Sequence, residues 1–180
     1  TAYEIMPSLV GSEMCIRDSD RPIKCQTSSW RRPEDTIMPT GVKITGLYTT
    51  SILAKTEAVS AGYDEAILLN NDGTVSEGSG ENLFIVNGET ISTPCETDNC
   101  LLGITRDSII QLAEAQLGLK VVQRRIHRSE LYLADEIFLT GTAAHITSVG
   151  ELDNRKISTG QLGQITGLSL IHISEPTRLG

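Results

Sequence analysis

No run of 18 apolar residues occurs anywhere in the chain, so the sequence holds no segment that would cross a membrane as a helix. Basic charge is also short. Fifteen Lys and Arg stand against 23 Asp and Glu, giving a net charge of −8 and a pI near 4.9. A nucleic-acid-binding protein needs a basic face, and this balance argues against one. Histidine is sparse: His127, His145 and His172 are scattered and form no H-x-x-x-H pair, which removes the usual histidine metal site. The cysteines Cys15, Cys25, Cys95 and Cys100 offer a single C-x4-C pair and no second pair to complete a zinc site. They read as free thiols of a reducing compartment. No signal peptide is recognisable, so the expected location is the cytoplasm.

What is present suits one domain, or at most two, with a core. The chain has 180 residues, 39% of them apolar and 21% charged. Its two ends do not resemble its middle. Residues 1–19 and 169–180 sustain neither a period of 2 nor one of 3.6, and both resemble translated sequencing-adapter read-through. They are expected to be non-native flanks, leaving residues 20–168 as the folding unit.

Within that unit, Gln26 to Trp30 reads as extended and Arg31 to Gly41, with Pro33 and Pro39, as a loop. Leu47, Ser51, Leu53, Ala54, Ala58 and Ala61 recur at helical spacing, and Gly62 ends that helix. Ala66 to Leu69 suits a buried strand. Asn71-Asp72-Gly73 predicts a type I′ hairpin, and Leu83 to Val86, Asn87-Gly88, Thr90 to Thr93 a second hairpin. Cys95 to Leu102 is irregular. A second helix places Ile104, Ile109, Ile110, Leu112, Ala113 and Leu117 on one broad face and stops at Gly118. Lys120 to Arg125 reads as strand, Ser129 to Leu133 as a helical turn or two, and Glu136 to Thr140 and His145 to Val149 as strands about a tight Gly141–Ala144 turn. This order predicts a mixed α/β domain, β-rich with flanking helices, and not a Rossmann unit.

Four segments could carry chemistry. Lys43 lies between Val42 and Ile44; apolar neighbours would desolvate it and favour a neutral, nucleophilic amine able to form an imine, although a solvated loop lysine fits the same context. Glu77 opens Glu77-Gly78-Ser79-Gly80-Glu81-Asn82, where glycines admit a close ligand and a carboxylate could pair with a ring nitrogen; a solvated turn is the plainer alternative. This is neither a G-x-S-x-G elbow nor G-x-G-x-x-G. Gly103-Ile104-Thr105 opens the second helix, whose free N–H groups and dipole could hold a phosphate or simply need capping. Gly141-Thr142-Ala143-Ala144 could form an anion nest. A lysine, an acid and two anion-binding turns are what a pyridoxal phosphate site requires.

A longer spaced pattern sharpens this. Glu77 to Phe84, then Ile91-Ser92-Thr93, then Leu101-Leu102-Gly103-Ile104-Thr105-Arg106 resembles the signature of the fold-type IV pyridoxal phosphate enzymes. Ser28-Ser29-Trp30, Ala61 to Ala66, Leu131 to Glu136 and Gly141 to Ala144 make Ser28 to Thr166 similar to the large C-terminal domain of the branched-chain amino acid aminotransferases. The resemblance implies transamination of leucine, isoleucine and valine with 2-oxoglutarate through pyridoxal 5′-phosphate, in a homodimer when full length. It implies small-molecule amino acid and 2-oxo acid partners, with no nucleic acid or membrane. It makes Lys43 the catalytic and cofactor-bearing lysine and Glu77 the partner of the pyridine nitrogen. Tyr48 then stands near the 3′ oxygen, Leu101 on the ring face, and Ile104, Thr105 and Thr142 at the phosphate. Thr142 and Ala143 meet the substrate carboxylate. Two positions depart from the family pattern: Leu47, where it usually has Asn, and Leu102, where Pro often follows the ring-packing leucine. Nothing here matches the family's small N-terminal domain, with its phosphate arginine and part of the substrate pocket, or its final helix. The alternatives are a D-amino acid aminotransferase or aminodeoxychorismate lyase of the same group, or an inactive fragment.

Overall fold

A computed structural model describes residues 21–142 and 145–168. The expectations about both flanks and about Ala143 fall outside the described residues. Among the described residues nine strands form one mixed sheet: β1 (Ile23–Arg31), β2 (Glu65–Leu69), β3 (Val75–Gly78), β4 (Asn82–Asn87), β5 (Thr90–Thr93), β6 (Lys120–Gln123), β7 (Glu136–Gly141), β8 (His145–Leu152) and β9 (Arg155–Lys156). Their order is β3-β2-β1-β8-β7-β4-β5-β6, with β9 paired to β8. Among the described helices are α1 (Tyr48–Ser60), α2 (Ile104–Ala115) and the single turn α3 (Arg128–Leu131). Two strand pairs joined through a helix, β1 with β2 and β5 with β6, are parallel. A parallel pair needs a crossover, and α1 and α2 supply one each. None of the described helices is long and apolar enough to cross a membrane.

Burial explains why strand alternation is faint in this sequence. Asn82 to Val86 are all buried, and β2 is buried along its whole length. Leu83, Ile85, Ile137 and Leu139 join Ile67, Leu69, Val149 and Leu152 in a core on one face, completed by Ile126, Leu131 and Ala134 around α3. Phe84 and Phe138 point the other way, stack at 4.9 Å, and pack under Ile109, Ile110 and Ala113 of α2. With both faces covered, a strand reads as a continuous apolar run.

Small residues let α1 lie close to the sheet. Its buried positions are Ser51, Ala54 and Ala58, and the alanines meet Ala66 and Leu68 of β2. Leu53 and Ala61 are exposed, contrary to expectation: Leu53, 39% exposed, turns more than a quarter-circle away from the Ser51–Ala54–Ala58 line, and Ala61 is the C-cap, past the last residue of the helix. Ile104 is likewise 86% exposed. It occupies the first position of α2, beyond the edge of the Phe84–Phe138 core.

Asn71-Asp72-Gly73 does join β2 and β3 as a hairpin, but not through a type I′ turn. That turn needs two residues at positive φ, and here only Gly73 is, at +84°. The Asp72 carboxylate accepts the Thr74 N–H at 3.0 Å and its hydroxyl at 2.6 Å, while the register slips between Leu68 and Leu69. This is a three-residue loop closed by a glycine bulge. The Asn87-Gly88 hairpin and the β7–β8 pairing are as expected. A further hairpin went unread: Asp153 and Asn154, at φ +50° and +61°, turn β8 into β9.

Candidate active site

One end of the sheet carries a cavity of about 420 Å³. Four chain segments reach it: the loop after β1 with the start of α1, the β3–β4 connection, the loop leading into α2, and the end of β7. Lys43, Tyr48, Glu77, Leu101, Ile104, Thr105 and Thr142 all line it. Every described residue singled out in the sequence is therefore brought to one place, although Lys43 and Thr142 lie far apart along the chain.

Glu77 is the most constrained of these. It is 6% exposed on β3. Its Oε1 receives the Arg32 guanidinium at 2.7 Å. Its Oε2 accepts the Leu101 N–H at 3.0 Å and the Asn82 Nδ2 at 3.4 Å. Burial pushes its carboxyl up to about 7, against the opposing pull of Arg32 and the Leu101 N–H, with the Glu81 charge adding to the rise. The same burial, reinforced by the Glu77 charge, pushes the neighbouring Cys100 thiol up to about 12. Cys25, Cys95 and Cys100 are free thiols.

Lys43 is exposed. Of the two readings its local context allowed, this is the solvated loop lysine and not the desolvated amine: Val42 is itself 54% exposed, so the loop offers the lysine no cover. Tyr48, at the first position of α1, is 41% exposed.

At the other end of the cavity α2 begins without a side-chain cap. The N–H groups of a helix's first turn have no partner within the helix, so Ile104 and Thr105 present donors and the positive dipole end to the cavity. Gly103 is needed there for space. A Cβ on it would come within 3.0 Å of Asn82 Oδ1, and Asn82 cannot easily yield, since its Nδ2 donates to the Leu101 carbonyl at 2.6 Å. Arg106, by contrast, turns away. It is buried and donates to the Pro94 carbonyl at 2.9 Å and Gln123 Oε1 at 3.0 Å, tying α2 to β5 and β6.

Sequence reasoning gave no role to Arg32, Asn82 or Thr140. Arg32 looked like one more loop residue, yet it is 4% exposed, and its Nε also donates to the Asn99 carbonyl at 3.1 Å. Asn82 stood inside the quoted motif, but its bridge to Leu101 could not be seen there. Thr140 lines the cavity beside Asn82, its partner across β4 and β7. Its buried hydroxyl has no hydrogen-bond partner among the described residues. An orphaned polar atom in a cavity wall is a feature that a bound polar group would satisfy.

The family model for amino-transferase class IV matches residues 5–152. A protein of Aquifex aeolicus named "probable branched-chain-amino-acid aminotransferase" is 52% identical over 149 residues, 83% of this chain and 48% of that protein. Two of the similar solved structures illustrate the match. The branched-chain amino acid aminotransferase of Thermobaculum terrenum, in its PLP-form, superposes with a TM-score of 0.85 at 38% identity, over 92% of this chain and 53% of the other. The branched-chain aminotransferase of Thermoproteus uzoniensis, with norvaline, gives 0.82 at 43% identity, over 86% and 51%. The mixed sheet with its flanking helices is thus the fold of these aminotransferases. The chain spans about half the length of the relatives it matches.

Proposed function

We propose that this chain, which belongs to the class IV aminotransferases, is the cofactor-bearing part of an enzyme that moves the amino group of leucine, isoleucine or valine to 2-oxoglutarate, with pyridoxal 5′-phosphate as cofactor. Residues 20–168 would correspond to the large C-terminal domain of such an enzyme. The observation that carries the reading is the convergence of Lys43, Glu77, the start of α2 and Thr142 on a single cavity. The donor set suits the cofactor: an amine for its aldehyde, a buried carboxyl for its ring nitrogen, an uncapped helix start for its phosphate, and an orphaned Thr140 hydroxyl in the wall.

When bound, pyridoxal phosphate supplies a ring that takes up the electron pair left as an amino acid loses its α-proton. Lys43 Nζ would anchor the group and, once the amino acid has displaced it, would take the α-proton and return it at the cofactor carbon, as base and then acid. Glu77 would hold a proton on the pyridine nitrogen through charge and hydrogen bonding. The N–H groups of Ile104 and Thr105, with the Thr142 hydroxyl, would hold the phosphate dianion. Leu101 would cover a ring face, and the Tyr48 hydroxyl would serve the 3′ oxygen. Thr142, with Ala143 from outside the described residues, would take the substrate carboxylate.

We infer for the complete protein a homodimer in the cytoplasm. Ile37, Val42, Ile52, Leu102 and Ile104 are exposed apolar residues, and Val42, Leu102 and Ile104 line the cavity, as expected of a site covered by further protein. The free thiols suit a reducing compartment.

The test is chemical. The purified chain, incubated with pyridoxal phosphate and then treated with borohydride, should carry the cofactor's added mass on Lys43, and Lys43→Ala should carry none. Mass on another lysine would move the site. Joined to the rest of its protein, the domain should prefer L-leucine, L-isoleucine and L-valine to D-alanine as amino donors.

A further inference from the structure

Arg32 and Glu77 form a buried ion pair between distant parts of the chain. Arg32 follows β1, Glu77 lies on β3, and nothing in their local sequence joins them. The guanidinium reaches in two directions in its plane, to Glu77 Oε1 at 2.7 Å and to the Asn99 carbonyl at 3.1 Å. Asn99 is itself fixed at a positive φ of 56°, and its side chain receives the Asp35 N–H at 3.2 Å and donates to Asn70 Oδ1 at 3.0 Å. The arginine is thus locked before it meets the carboxylate. A lysine would preserve the charge but could not reproduce the fork. Glu77 Oε2 meanwhile accepts the N–H of Leu101, so the orientation of the carboxylate also sets the loop that leads into α2.

We propose that Arg32 is a positioning residue: its clamped guanidinium draws Glu77 towards the carboxylate form against burial and fixes its plane, so that Glu77 can hold the ring nitrogen's proton. The second half rests on the function proposed above; the first half does not. Burial alone drives Glu77 towards the neutral acid, and a neutral acid cannot balance a protonated ring nitrogen. The charges bearing on Glu77 come from several elements. Arg32 stands after β1 and Glu81 in the β3–β4 turn; the Cys100 thiol in the loop before α2 stays neutral, its own proton held by burial and by the Glu77 charge, while Lys43 and Tyr48 line the same cavity. Arg32 is the cation in ion-pair contact with the carboxylate.

Carbon-13 NMR of the chain labelled at glutamate carboxyls reads the first half directly, without cofactor. The Glu77 signal is the one lost in Glu77→Gln. In Arg32→Gln its titration midpoint should rise by about 1–3 units, the effect of losing a close opposite charge; in Arg32→Lys it should stay within about half a unit of the parent. Equal midpoints in the parent and Arg32→Gln overturn the proposal. If Arg32→Gln is hard to fold, circular dichroism from pH 5 to 8 decides. Loss of charge balance makes the variant fold better as pH falls and Glu77 takes up a proton, whereas a chain unfolded at every pH assigns Arg32 to packing alone and overturns the charge role. With pyridoxal phosphate added, the absorbance of bound cofactor should titrate in Arg32→Gln with the shifted Glu77 midpoint. A Glu77 shift without any borohydride-fixed cofactor on Lys43 in the parent would leave the Arg32–Glu77 coupling standing and remove the cofactor reading.

Discussion

Replacing Gly103 by alanine adds one methyl group and should disturb the site more than any cap argument suggests. The backbone there is ordinary, at φ −72° and ψ 146°, so alanine meets no conformational strain. Restricting the unfolded chain would by itself stabilise by about 0.4–1 kcal/mol, and alanine, a poorer N-cap than glycine, would cost back about 0.5–1 kcal/mol. The deciding effect is steric. The new Cβ would lie within 3.0 Å of Asn82 Oδ1, forcing the amide to rotate or α2 to retreat. Rotation breaks the 2.6 Å bond to the Leu101 carbonyl, a loss of about 0.5–1.5 kcal/mol, or about 1–3 kcal/mol if the carbonyl stays buried and unsatisfied. It also removes a donor from Glu77 Oε2. The net expectation is a destabilisation of about 1–3 kcal/mol together with weaker cofactor binding. Urea unfolding at constant m-value measures the first. Gly41→Ala is the control, since its Cβ meets nothing within 4 Å: it keeps the unfolded-chain gain of about 0.4–1 kcal/mol without the clash. A Gly103→Ala chain that unfolds at the same urea concentration as Gly41→Ala would refute the argument that Asn82 is held in place.

Glu77 makes stability depend on pH. Its folded carboxyl is raised from 4.5 to about 7, so the folded state binds a proton that the unfolded state releases. Its stabilisation is complete below about pH 4.5 and is lost as pH rises through about 7, by up to about 3 kcal/mol. Urea midpoints taken across that window should fall less steeply in Glu77→Gln than in the parent, and equal slopes would show that Glu77 is not the group responsible. In the complete enzyme Glu77→Gln should also lower turnover by about 10²–10³-fold, the loss typical for one electrostatic stabiliser, as steady-state assays would show. Phe84→Ala removes a fully buried ring stacked on Phe138 and should cost about 3–5 kcal/mol in the same denaturation experiment.

Much of this molecule is determined locally and can be read from the chain. The spacing of Ser51, Ala54 and Ala58 specifies a helix whose small face must lie against a sheet, and Asn87-Gly88 specifies a hairpin, because backbone geometry alone decides such features. The segments from Glu77 and from Leu101 are each contiguous, so the pieces that line the cavity were legible before any fold was known. Tertiary structure alone decided how those pieces act together. Arg32 reaches Glu77 only because β1 and β3 both lie beside β2 in the sheet; neither residue's neighbours carry any trace of the other. Asn82 dictates a glycine at position 103 through an approach between the start of β4 and the start of α2, and no periodicity encodes a clash. Lys43 is exposed despite its apolar neighbours, since burial depends on what the rest of the chain places over a loop. Side-chain spacing determines which elements form, because those forces act over a few residues; the charge and shape of the site arise from contacts between residues that only the closed sheet brings within hydrogen-bond reach.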